Sequence, residues 1–168
     1  MKARSTCGVC FGIDPSHIRP LIDKLRKSQN RANHPELVPL CVLDMAITRL
    51  RTFCDEAYAN FLSIRDATSP NLYDSPVRDS QPPDLTHMPQ KLASLIDTAA
   101  DNTSAIQGTS NIIQYLETKL ETMQPPDEVV VEMKTHLVFL RQTLEATRRK
   151  NDCLKESVQG TMRMVSRK

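Results

Sequence analysis

The strongest constraint on this chain is a single spaced row of side chains between His34 and Asp66. Leu40, Leu43, Ile47, Leu50, Cys54, Ala57, Phe61 and Ile64 follow one another at steps of 3, 4, 3, 4, 3, 4 and 3. An α-helix turns once per ~3.6 residues, so that rhythm places all eight on one narrow stripe. Arg49, Arg51, Asp55, Glu56 and Asn60 fall off it and are expected to face water. A long helix with one apolar seam must be covered by other helices, as in bundles and coiled coils. Pro35 and Pro39 are compatible with its first turn, where the leading N–H groups lack intrahelical partners. Pro70 disfavours helical geometry at the residue before it, so the helix is predicted over about 35–67.

Two later segments repeat the pattern. The seam Met88, Leu92, Leu95, Ala99, Asn102, Ile106, Thr109, Ile113, Leu116, Leu120 and Met123 predicts a helix over about 84–123, with Asp84 as its cap. Its middle carries the polar Asn102 and Thr109 beside Gly108, and is read as a wetter layer rather than a hinge or a register-setting contact. Pro125-Pro126-Asp127 then reverses the chain. Val130, Met133, Leu137, Leu140, Leu144, Thr147, Asn151, Leu154, Val158, Thr161 and Val165 predict a third helix over about 127–166. Its apolar content thins beyond Leu144, and Arg148-Arg149-Lys150 is read as solvated. Its last turns read as expecting a neighbour.

Ahead of these lies a shorter helix, predicted over about 15–28, with Asp14 or Ser16 as cap and Ile18, Leu21, Ile22 and Leu25 as its apolar face. Lys24, Arg26 and Lys27 suit its C-terminal end, where the dipole favours cations. The expected fold is therefore all-α, an antiparallel bundle of three long helices with a short N-terminal helix. Residues 1–33 form a frayed tail plus that helix, and residues 34–168 form the bundle. Residues 67–83, with four prolines, are read as a linker or surface loop. The absence of Trp and the low count of aromatics agree with a core of aliphatic residues.

Charge excludes little. The formal net charge is +2, which by itself predicts no nucleic-acid partner. Residues 1–31 hold seven Lys/Arg against two Asp, and residues 141–168 hold eight against three acids. Both basic ends are read as solvated helix faces rather than as sites for an anionic surface. The five cysteines are Cys7, Cys10, Cys41, Cys54 and Cys153, and the opening MKARSTCGVC lacks the apolar core of a secretory signal. A reducing, cytoplasmic setting is the expectation. No apolar run approaches the ~20 residues that cross a bilayer.

Candidate chemistry is sparse. Cys7-x-x-Cys10 is the one metal-like spacing, and a zinc site would need His17 or His34 with Cys41 to complete four ligands. With no second such pair, the two are read as thiols of the tail, and as weak metal candidates at most. The nucleophile elbow, the P-loop and glycine-rich phosphate cradles are all missing from the sequence. The expectation is a protein that is not an enzyme and has no cofactor.

One resemblance adds to this reading. His34, Pro35, Leu37, Val38 and Pro39 form a His-Pro-x-Leu-x-Pro-like helix start. Ile64 and Thr68 match an Ile-x-x-x-Thr-Gly end, with Ser69 in place of Gly. Asp84, Leu85, Met88, Lys91 and Leu92 match an Asp-Leu-x-x-Leu-x-x-Lys-Leu segment. In these features residues 11–168 resemble the cytosolic part of fungal CorA-like proteins, relatives of CorA magnesium channels. The family carries two C-terminal membrane helices with a Gly-Met-Asn signature and an N-terminal α/β domain; none of them is expected within residues 1–168. The resemblance implies a cytosolic helical stalk or interaction module without the pore, joined through its third helix to a second copy or to a membrane-embedded partner. A divalent cation is implied by the resemblance alone, and no position matches a family metal site. The alternative is a helical signalling or regulatory interaction domain unrelated to ion transport.

Overall fold

The structure, a computed structural model, describes residues 15–28, 34–68, 87–123 and 127–165. They form α1 (Pro15–Lys27), α2 (Leu37–Thr68), α3 (Met88–Glu121) and α4 (Glu128–Val165), with no strand among the described residues. The all-α bundle with a short leading helix is what the seams predict.

The helix ends follow from local chemistry. Pro35 and Glu36 form a turn in which the Leu37 N–H donates to the His34 carbonyl at 3.1 Å, so α2 starts two residues later than predicted. Pro39 stands in the first turn, where no intrahelical donor is lost. Before α4, Asp127 caps twice: its Oδ1 accepts the Val130 N–H at 2.8 Å, and its carbonyl accepts the Val131 N–H at 3.1 Å. The α3 start is Met88 rather than Asp84, and Asp84 lies outside the described residues, as does the predicted loop from 69 onward.

The chain divides into two compact units: Met1–Arg49 with Gln107–Glu145, and Leu50–Ile106 with Ala146–Lys168. In the first, α2 and α4 run in the same direction. His34 Nε2 lies 3.2 Å from Asp127 Oδ2, and ten residues on along α2 and nine along α4, Asp44 Oδ2 lies 3.7 Å from His136 Nε2. The short connection after Glu121 makes α3 antiparallel to α4, as in an αα-hairpin. Leu40, Leu43, Ile47, Ile113, Leu116, Leu137 and Leu140 are all buried, as their seams require. Helix α1 joins this unit through Leu21, which is buried, and through a Lys24–Asp44 ion pair.

That ion pair changes the expected orientation of α1. Lys24 shares a face with Leu21, Leu25 and Ser28, and this face turns inward, leaving Ile18 and Ile22 exposed by 46% and 41%. The predicted four-residue apolar face is thus split. Two members pack, and two remain outside.

In the second unit one cluster joins Ala57 and Phe61 of α2, Leu92, Leu95 and Ala99 of α3, and Leu154 and Val158 of α4. The α4 seam therefore continues to pack well past Leu144. Lys150 keeps its side chain 39% exposed, in line with the solvated reading, while pairing with Asp55 at 2.6 Å and lying 5.2 Å from the Tyr58 ring centroid.

Candidate functional site: a buried amide and the exposed apolar side chains

Asn151 sits at a seam position of α4 and is 1% exposed. An amide buried this deeply is tolerated only if its polar valences are met, and an Asn side chain offers two N–H donors and two acceptor lone pairs. All four are used. Nδ2 donates to the Ala99 carbonyl at 2.9 Å and to Thr103 Oγ1 at 3.0 Å. Oδ1 accepts from Asn102 Nδ2 at 3.4 Å and, weakly, from the Cys54 thiol at 3.9 Å. Thr103 itself donates to the Ala99 carbonyl at 2.8 Å, which leaves its hydroxyl lone pairs for Asn151. At Asn102 and Thr103 the polar stretch of α3 is therefore bonded directly across to α4 rather than being a wet layer. Small residues make the room: Cys54, Ala57 and Ala99 are all at most 3% exposed.

The chemistry open to this cluster is limited. Burial, then the Asp55 carboxylate beside it, pushes the Cys54 thiol up from its ordinary value, and Lys150 opposes this. A thiol shifted in this direction is less available as a nucleophilic thiolate. Cys153 is exposed, whereas Cys41 is buried in α2.

Cys7 and Cys10, the weak metal candidates from sequence, lie outside the described residues. Of the groups that would have completed their site, His34 is engaged with Asp127 and Cys41 is packed in the seam. Among the described residues no group of three or more His, Cys, Asp or Glu side chains is placed to hold a metal ion. Also among them, no helix is long and apolar enough to cross a membrane.

The remaining unusual chemistry is on the outside. Ile112 and Tyr115 of α3, and Val131, Val138 and Phe139 of α4, are 50–60% exposed. On α4, Val131 and Val138 are one heptad apart and form a second, outward row. Phe139 stacks against His136 with ring centroids 6.3 Å apart, and His136 faces Asp44. On α1, Pro15, Ile18, Arg19, Ile22, Asp23 and Arg26 line a shallow groove of about 440 Å³. Sequence reasoning missed both the orientation of α1 and the second row on α4. The signal for the latter was available in the spacing of its valines.

No family model, no curated protein and no solved structure matches the chain.

Proposed function

We propose that this protein is a non-catalytic helical stalk or interaction module, comparable to the soluble part of CorA-like metal ion transporters without the pore. The observation that carries the reading is the outward row of α4. Val131 and Val138 are about half exposed and Phe139 is 59% exposed, on a helix whose seam is buried from Val130 to Val158. Exposed apolar side chains grouped on one element favour association with another apolar surface. The interior offers little for catalysis: Asn102, Thr103 and Asn151 bond one another, and the Cys54 thiol is held protonated. The module acts by holding a partner against α4, either a second copy or a membrane-embedded continuation.

The test is the molar mass of the full chain by light scattering over a range of concentrations, beside Val131→Asp/Val138→Asp. The reading expects a concentration-dependent rise that the double variant loses while keeping its helicity. A monomer throughout, with no apolar partner segments encoded beyond Lys168, overturns it. Transport ancestry specifically expects two apolar stretches downstream with Gly-Met-Asn between them.

A second reading, a signalling or regulatory interaction domain, is favoured by α1. Its exposed Ile18 and Ile22 are flanked by Arg19 and Arg26, a combination suited to an acidic amphipathic segment. Charge reversal at Arg19 and Arg26 that abolished binding of such a segment would support it.

A further inference from the structure

We infer that Asn151 fixes the heptad register of α4 against α2 and α3, and that without it α4 also occupies a register displaced by one heptad. The inference is independent of which partner the outer surface takes. It starts from the repetition of the seam. Leu144 stands seven residues before Asn151 and Val158 seven residues after it, and both are buried. Apolar burial is non-directional, so a seam of this kind accepts a seven-residue slip with its stripe still covered. Amide hydrogen bonds are directional, and they do not accept it.

The second unit supplies that direction around Asn151. Asn151 reaches an acceptor pair on α3, the Ala99 carbonyl and the Thr103 hydroxyl, one helical turn apart. It also meets the Asn102 amide of α3 and the Cys54 thiol of α2. Displacing α4 by a heptad would bring Leu144 or Val158 to this level. Asn151 would then be buried among apolar neighbours, and the Asn102 amide would lose its partner. Buried polar groups left without partners are disfavoured far more than the bonds themselves are favoured. A single seam Asn is a known way for helices to specify register at some expense of stability. Here the small Cys54, Ala57 and Ala99 side chains confine the room for an amide to this level.

The test uses thiol cross-linking of the full chain with Cys7, Cys10 and Cys153 changed to Ser and Cys41 and Cys54 changed to Ala. Asp55→Cys with Lys150→Cys reports the native register, since those side chains now touch at 2.6 Å. Asp55→Cys with Thr143→Cys, or with Ser157→Cys, reports a displacement of one heptad either way. A short bis-maleimide is applied, and products are read on the monomeric species by mass spectrometry. With Asn151 present, the native pair alone is expected to link. With Asn151→Leu, one displaced pair is expected to rise by about tenfold or more while helicity is kept. Displaced pairs that stay at background in a folded Asn151→Leu chain would overturn the inference. So would loss of helicity in that variant, because a register lock is dispensable to helix packing whereas a structural polar core is not.

Discussion

Asn151 on α4 donates to the main-chain carbonyl of Ala99 on α3 at 2.9 Å, through the interior of the second unit. A side chain bonding the backbone of a neighbouring helix ties position to position, which the leucines around it cannot do. Asn151→Ala should lower the urea midpoint, because it leaves the Asn102 amide buried without its partner, an effect of about 1–3 kcal/mol. Equilibrium unfolding followed by circular dichroism checks it.

Leu154 is fully buried in the cluster with Phe61, Leu92 and Val158. Leu154→Ala should destabilise the chain by about 2–5 kcal/mol through lost transfer free energy and the cavity left behind. Val138→Ala, on the outer row, should change stability by less than about 0.5 kcal/mol. Urea unfolding of the two variants side by side separates packed row from outer row.

Asp127 caps α4 through its side chain, so Asp127→Ala should cost about 1 kcal/mol, and Asp127→Asn should retain most of the cap. His34, 3.2 Å away, contributes to the difference between these variants. Thermal melts of both against the parent chain give the comparison.

Gly108 lies within α3 and has open space where a Cβ would stand. Gly108→Ala should therefore stabilise the helix, by about 0.8–1.0 kcal/mol on propensity alone. A rise in melting temperature with unchanged helicity is the expected readout, and a fall would mean that α3 bends there.

The Cys54 thiol gives a pH dependence with a definite sign. Its folded-state pKa lies above the ordinary value of 9.0, chiefly because of burial. The contribution is fully present below the unfolded-state value and is lost as pH rises through the folded-state value. The urea midpoint should therefore fall with alkaline pH more steeply in the parent chain than in Cys54→Ala. Equal slopes would show that the thiol is not buried in solution.

The sequence made the seams legible because burial of a stripe needs only spacing, and spacing is local. Leu40 to Phe61, Met88 to Leu120 and Val130 to Val158 pack as that rhythm requires. What it could not settle depends on which residues meet across helices. The inward turn of α1 depends on Lys24 finding Asp44, twenty positions away, and the surface pairing of Lys150 depends on Asp55 and Tyr58 standing opposite it. The polarity of Asn102 was visible, but its meaning was not, since its partner Asn151 lies on another helix. The seam alone gave no reason to look for function on the outer side of α4, which its second row of valines makes visible.

Hydroxyl-radical footprinting of the full chain can distinguish the closed face of each long helix from the open face of α4 that takes a partner. At low concentration Met133, fully buried, should resist oxidation while Met164, 65% exposed, and Phe139 react; at high concentration Phe139 should become protected. Oxidation of Met133 as fast as that of Met164, or Phe139 reacting equally at every concentration and with no partner able to shield it, would contradict the account.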